Sequence, residues 1–369
     1  MKNLIYRQFN LIKLFCCILI VYQHAISSFV ISSNANISTH IVYGGILNFS
    51  RFAVTVFMVI TGFLIIRNYE EIGIRNFYKK KFSKILIIYL LANFIFILPK
   101  FFTVDNYSLK LFFRDIIWGK SYYHTWYLNT LIKIYLIFPI LRYIVLKLDK
   151  VLRCKSIILI TLVQFIIINN AYSILSRKSS FIGKILFSYL DRSLIIWIYY
   201  FILGGLIYKN FIYLIGFIKK YYIILGFLFL YKLIDINLKV FKGGSFENVN
   251  YVIGSPSSRH LIIYNLVALA VLYYFANLLV TRNVFNINKY IDNFSKYILS
   301  VYIIHPYIIK LNTLFNFNYL NYNFKIAILV ILNIVLSFVV VYLYEKLITK
   351  IIKPKKHIEE IEEKIKVNV

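Results

Sequence analysis

The stretch Asn10-Leu-Ile-Lys13-Leu-Phe-Cys-Cys-Ile-Leu-Ile-Val-Tyr-Gln-His24-Ala decides the fold, because it belongs to a segment long and apolar enough to cross a lipid bilayer. It also carries an ionisable ring, and such a group inside a membrane segment is a functional-site hypothesis by default. Lys13 precedes His24 by 11 residues, a rotation of ~1100° in a helix, so both side chains share one face about 16 Å apart. The sequence therefore predicts a cation at the membrane edge directly below a potential base.

Composition extends this interpretation to nearly the whole chain. Sixty per cent of the 369 residues are apolar and the mean hydropathy is +0.73, whereas ordinary soluble domains are about half apolar. Apolar segments recur from Leu11 to Ile348. We expect an all-α polytopic membrane protein with one membrane domain over residues 1–352 and a charged cytoplasmic tail over 353–369. About ten transmembrane helices are predicted, near 11–31, 47–66, 84–103, 127–147, 156–176, 193–208, 221–238, 260–280, 297–315 and 325–349.

The basic residues orient these spans. Residues 32–46 contain no Lys or Arg, whereas the connections after the second and fourth spans and the C-terminal tail are rich in them. By the positive-inside rule, both termini face the cytoplasm. The connection between the third and fourth spans breaks the pattern, because it is nominally external yet carries four cations that two acids only partly offset: Lys100, Lys110, Arg114 and Lys120 against Asp105 and Asp115.

Charge and cysteine content exclude several classes of function. The net charge of +29 is spread between apolar segments, so we exclude nucleic acid as a partner and favour anionic headgroups and phosphate-bearing ligands. The three cysteines form neither a disulfide framework nor a metal-binding spacing, and no Walker loop or dinucleotide fingerprint occurs. Heavy use of Ile, Lys, Asn and Tyr indicates an AT-rich bacterial genome.

His24 is the first candidate for chemistry. Its imidazole can take and release a proton near neutral pH, which suits a general base. The alternative is a core histidine bonded to a neighbouring carbonyl. Lys13 on the same face favours the functional interpretation, although a lysine near a span end also reaches the headgroups for purely structural reasons.

A second candidate site is the basic cluster that contains Lys81 and Lys84 at the entry to the third span. These lysines are three residues apart and neighbour each other on one helix face. Two ammonium groups at an interface can bind phosphates, and a plain role in setting topology is an equal alternative.

Further candidates lie near the opposite membrane face. His124 precedes Trp126 and Tyr127, where the aromatic pair fits an interfacial belt and the histidine fits a hydrogen bond to an acceptor hydroxyl. Arg51 lies at the outer edge of the second span, in which Thr61-Gly62 predicts a close helix approach.

His305 stands before Pro306 in the ninth span. The proline removes a helix donor and frees the carbonyl of Tyr302. Irregular backbone at membrane depth is tolerated where protein or a cavity satisfies it, so His305 is predicted to line a pocket. The alternative is a structural kink with a satisfied ring.

Taken together, these segments resemble the acyltransferase-3 family of bacterial membrane acyltransferases. The matching motifs occur in family order over most of the chain: Asn10, Lys13 and His24; Phe57 to Leu64; Lys81 and Lys84; His124 to Leu128; and Ser300 to Pro306. Asn10 replaces the usual acid, Thr61 replaces a serine, and lysines replace both arginines of the basic motif, which loses bidentate phosphate recognition.

The resemblance implies transfer of an acyl group, usually acetyl from acetyl-CoA, to a hydroxyl of a cell-surface or lipid-linked glycan at the bacterial inner membrane. His24 would act as general base or as acyl carrier, Lys13, Lys81 and Lys84 would bind the donor, and the acceptor would contact Arg51, His124, Trp126, Tyr127 and His305. No metal is expected, and the oligomeric state stays open. The competing hypothesis is a transporter or flippase of a lipid-linked glycan, which moves its substrate without covalent change.

Overall fold

The computed structural model describes residues 2–31, 37–70, 73–176, 192–242, 249–255, 258–312, 314 and 321–367. Every regular element in these ranges is helical, which confirms the all-α prediction. We number the α-helices α1 Lys2–Ile26, α2 Ile37–Ser50, α3 Phe52–Tyr69, α4 Ile74–Phe77, α5 Ser83–Ile97, α6 Lys100–Thr103, α7 Leu109–Trp118, α8 Thr125–Leu136, α9 Phe138–Leu152, α10 Lys155–Ser176, α11 Leu194–Lys209, α12 Phe211–Val240, α13 His260–Arg282, α14 Ile287–Phe294, α15 Ile298–Asn312 and α16 Tyr322–Val367. Two π-helical turns, Ser27–Ile31 and Tyr78–Phe82, follow α1 and α4.

Five helical segments among the described residues are long and apolar enough to cross a membrane: Leu4–Val30, Ser38–Tyr69, Ile74–Thr103, His260–Arg282 and Tyr322–Ile348. A sixth arises if α11 and α12, bent by 91°, form one broken span. The protein is therefore a helical protein with several spans, but ten spans and cytoplasmic termini are not confirmed. One reason for the smaller number of spans is that Pro139, at the start of α9, divides the predicted fourth span into two shorter helices.

The chain forms two compact units, Arg51–Phe275 and the combination of Met1–Ser50 with Ala276–Val369. In the unit built from the two chain ends, α1 packs against α2, α15 and α16. Hydrogen bonds fix its rotation, because the Tyr22 hydroxyl donates to the Tyr43 carbonyl at 3.0 Å and the Gln23 amide donates to the Ser50 carbonyl at 2.7 Å. These bonds set the direction in which the adjacent His24 projects.

In the unit Arg51–Phe275, α3 and α11 approach closely through glycines. A Cβ atom at Gly62 would lie 2.9 Å from the Phe201 carbonyl carbon, and one at Gly204 would lie 2.8 Å from the Phe63 nitrogen. Only glycine fits these two positions, which confirms the close helix approach predicted at Gly62. In the same unit, α12 has non-helical backbone angles at Tyr221.

Asp115 explains part of the excess positive charge between the third and fourth predicted spans. Its buried carboxylate accepts from the Lys100 ammonium at 2.9 Å and from the Arg114 guanidinium at 3.0 Å, while the Tyr107 hydroxyl donates to it at 3.1 Å. Burial acts to raise the pKa of Asp115, but the hydrogen bonds from Lys100 and Arg114 outweigh it and hold the pKa below its usual value. One carboxylate thus engages two of the four cations.

Candidate active site

The most notable feature of the unit built from the chain ends is a pair of stacked histidines. His24 lies in the last turn of α1, and His305 lies near the middle of α15. Their ring centroids are 5.2 Å apart and their planes are inclined by 23°. His305 is fully buried, whereas His24 is partly exposed. The pair therefore offers one accessible imidazole supported by a second, enclosed one.

Backbone contacts define the protonation of His305. Its Nδ1 lies 3.3 Å from the Val301 carbonyl oxygen, and a carbonyl only accepts, so Nδ1 carries a proton. The ring also contacts the backbone of Tyr302, the residue whose carbonyl loses its helix donor to Pro306. A neutral His305 ring then keeps Nε2 as an acceptor. The helix continues past Pro306 to Asn312, so the proline does not end it.

Two contacts on the N-terminal side of His24 tie α1 to α15 and to the neighbouring α14. The Cys17 thiol lies 3.7 Å from the Ile298 carbonyl oxygen. Cys17 precedes His24 by two turns of α1. Near the start of α1, Arg7 forms a two-point ion pair with Asp292, with distances of 3.2 and 2.6 Å. The π-helical turn Ser27–Ile31 begins directly after the His24 turn, and such turns are frequent at functional sites.

Lys13 lies on the same helix as His24, as the sequence predicts. Because α1 is continuous from Lys2 to Ile26, the shared face and the axial separation of about 16 Å follow from helix geometry. The Lys13 side chain is partly exposed. A charge and an imidazole thus lie along one side of a single helix.

Lys81 and Lys84 belong to the unit Arg51–Phe275. Lys81 is in the π-helical turn Tyr78–Phe82, and Lys84 is in the first turn of α5. Lys81 is partly buried, Lys84 is exposed, and the two ammonium groups repel each other. The structure therefore brings the two predicted phosphate-binding lysines together at a helix irregularity that the sequence does not reveal.

His124 is enclosed by aromatic rings rather than open to solvent. It is 1% exposed and makes edge contacts with Phe96 at 4.8 Å, Tyr123 at 5.7 Å and Tyr122 at 5.8 Å between ring centroids. Its predicted contact with an acceptor hydroxyl stays a prediction.

Trp126 and Tyr127 contact residues of other helices in the same unit. The Trp126 ring lies 5.1 Å from the ring of Trp197 in α11, and Tyr127 hydrogen-bonds the side chain of Thr61 in α3. The structure thus joins two of the predicted motifs, the one around Thr61 and the one around Tyr127. The sequence analysis missed Trp197, which stands in an apolar segment that carries no local functional signal.

Arg51 begins the unit and lies within electrostatic range of Tyr251. Its Nε is buried and has no hydrogen-bond partner among the residues that the structure describes. Tyr251 opens a 3₁₀ turn whose Val252 and Ile253 line a cavity of about 290 Å³, together with Asn169, Ser258, Arg259, His260 and Ile168. Substrate contact by Arg51 remains a prediction.

The family model described as an acyltransferase domain matches residues 6–342 of the 369-residue chain. The chain belongs to the acyltransferase-3 family. Both histidines of the pair fall within the matched residues, as do the three lysines and the aromatic motifs. No curated protein and no solved structure matches the chain.

Membership in the acyltransferase-3 family makes this protein an acyltransferase, and its apolar helices make it a multi-pass membrane protein. Such an enzyme requires an acyl donor and an acceptor. In the described ranges, no group of three or more His, Cys, Asp or Glu side chains is placed to hold a metal ion.

Proposed function

We propose that this acyltransferase moves an acetyl group from acetyl-CoA to a hydroxyl of a cell-surface or lipid-linked glycan, with His24 at the reacting centre. The observation that supports this most strongly is the stacking of the partly exposed His24 on the buried His305 at 5.2 Å. Perturbed and enclosed titratable pairs cluster at catalytic sites. The pair supplies a base with a defined neighbour in a domain whose family transfers acyl groups.

In the direct route, a ring nitrogen of His24 removes the proton of the acceptor hydroxyl. The oxygen then forms a bond to the thioester carbonyl carbon, the C–S bond breaks, and the CoA thiolate takes the proton from the imidazolium to leave as thiol. His305 stays neutral beside the transient imidazolium, because two like charges at this spacing repel. The stacked ring thereby stabilises the charged form of His24 without competing for its proton.

In the covalent route, a ring nitrogen of neutral His24 attacks the thioester first and holds the acetyl group as an acyl-imidazole. The CoA thiol leaves with the proton that the ring loses, and the acceptor hydroxyl then attacks the acyl carbon. Both routes consume the same substrates and yield the same ester, so both stay within the proposal.

The lysines are proposed to bind the donor. CoA carries phosphates at its nucleotide end, and ammonium groups bind phosphate as point charges. The mutual repulsion of Lys81 and Lys84 is relieved when an anion binds between them. Lys13, one helix face below His24, is proposed to contribute a further charge to donor binding.

The remaining predicted residues are proposed to serve the acceptor. Arg51, His124, Trp126 and Tyr127 are assigned to saccharide contacts, and His305 to the wall of the site behind His24. The location is proposed to be a bacterial inner membrane, with one membrane domain over residues 1–352, ten spans, both termini in the cytoplasm and a charged tail over 353–369.

The test of this function is an assay of the purified full chain in lipid nanodiscs with labelled acetyl-CoA and a mixture of surface glycans. Acyl transfer predicts one ester on glycan for each free CoA thiol released. If labelled glycan instead crosses the bilayer of matched liposomes unmodified and without need for acetyl-CoA, the protein is a transporter and the proposal fails.

A further inference from the structure

Asn312, the last residue of α15, carries a side-chain amide in the protein interior. The residue is fully buried, and neither Nδ2 nor Oδ1 has a hydrogen-bond partner among the residues described by the structure. A polar group that is buried without a hydrogen bond destabilises the folded state. Buried polar atoms are nearly always bonded in native proteins, so an exception calls for an explanation.

The position of Asn312 relates it to the histidine pair. It follows His305 by seven positions, a rotation of ~700° that falls about 20° short of two full turns. The buried residues of α15 include Ile298, Val301, His305, Ile308 and Asn312, which repeat every three or four residues along one face. The amide therefore lies on the same buried face as His305, about 10 Å further along the helix axis.

Two buried polar side chains of α16 each donate to a carbonyl one turn earlier in their own helix. Asn333 of α16 is equally buried, yet its Nδ2 donates to the Leu329 carbonyl at 2.9 Å. Ser337 donates to the Asn333 carbonyl at 2.6 Å. Asn312 makes no such bond to the preceding turn, so its hydrogen-bonding capacity is available to a bound molecule.

We infer that Asn312 forms a subsite for a hydroxyl-bearing sugar unit of the acceptor, next to the unit whose hydroxyl reacts at His24. This inference rests on the proposed function. An amide donates through Nδ2 and accepts through Oδ1, which matches a hydroxyl that does both. The amide is uncharged and suits neutral hydroxyl groups, so the ligand inferred here is a polyol segment. A span of about 10 Å along the helix suits a saccharide longer than a single ring.

The test compares Asn312→Leu with Asn333→Leu, two substitutions of near-equal volume on the same unit. Full-length protein in nanodiscs is assayed with acetyl-CoA and the glycan that the wild type modifies. Asn312→Leu should raise the acceptor KM about tenfold, the loss of about one hydrogen bond, with the donor KM close to wild type. It should unfold no more easily than wild type, because a buried unmet amide has been replaced by an apolar group. Asn333→Leu should unfold more easily and keep the wild-type acceptor KM.

An unchanged acceptor KM in Asn312→Leu overturns the inference, as does a loss of stability equal to that of Asn333→Leu, which would mark a structural amide. A measurement of glycan binding, made without catalysis, distinguishes this result from a failure of the proposed function. Glycan affinity is measured for His24→Ala and for the double variant His24→Ala/Asn312→Leu without any acyl donor. Weaker binding by the double variant supports the subsite even when no transfer occurs, and equal binding contradicts it.

Discussion

Gly62→Ala places a methyl group where α3 and α11 have no room for one. The new Cβ would lie 2.9 Å from the Phe201 carbonyl carbon and 3.0 Å from its Cα, inside ordinary van der Waals contact. The obstructing atoms belong to backbone rather than to the end of a flexible side chain, so a helix must move. A Cβ atom at Gly204 of α11 would likewise clash with the backbone of α3. The two helices are therefore in direct backbone contact at both glycines.

The expected cost follows from two opposed effects. Overpacking a tight contact costs about 1–3 kcal/mol, and the upper end applies here because backbone must shift. Alanine regains about 1 kcal/mol through its better helix propensity. The net loss is about 2 kcal/mol, or roughly thirtyfold in the folding equilibrium. Gly226→Ala is the matched control, since nothing lies within 4 Å of its Cβ position, and it should be neutral or stabilising.

The assay is unfolding of the purified full chain in nanodiscs, followed by tryptophan fluorescence against temperature or denaturant. Gly62→Ala should unfold well before wild type, whereas Gly226→Ala should match or exceed it. The substitution should also lower activity, because Thr61, the neighbour of Gly62, holds Tyr127 by a hydrogen bond. Equal stability of the two variants would refute the packing argument.

Three further outcomes are expected. Because the folded-state pKa of Asp115 is lowered, its contribution to stability is fully present above the unfolded value of about 3.9 and is lost as pH falls through the lower folded value. Asp115→Asn should remove that part of the acid dependence of thermal unfolding below about pH 4. Lys81→Gln and Lys84→Gln should each raise the acetyl-CoA KM about fivefold, with Lys79→Gln, an exposed neighbour, near wild type in the same kinetics. His305→Phe keeps a ring beside His24 but removes its nitrogens, so kcat should fall about 10- to 100-fold while unfolding changes little.

Sequence reasoning succeeded where the signal is local. Lys13 and His24 share a face because one uninterrupted helix contains both. Gly62 correctly indicated a close contact between helices, because the lack of a side chain follows directly from the residue type. Each of these depends on spacing or residue type within a few turns.

It failed where the signal is distant or depends on hydrogen-bond register. The stacking of His24 on His305 joins residues 281 positions apart, and periodicity says nothing about which apolar helices pair. The π-helical turn around Lys81 depends on a single shifted bond register. The hydropathy pattern predicts ten spans, but it does not reveal the backbone breaks that shorten several helices. The break before Pro139 is one example.

Loss of acetyl transfer in His24→Ala is the measurement that tests the central claim most directly. His40→Ala is the control, because His40 is a buried histidine on another helix of the same unit. With labelled acetyl-CoA and acceptor glycan in nanodiscs, His24→Ala should form no ester above background while it unfolds like wild type, and His40→Ala should retain transfer. Wild-type ester formation by folded His24→Ala would contradict the account.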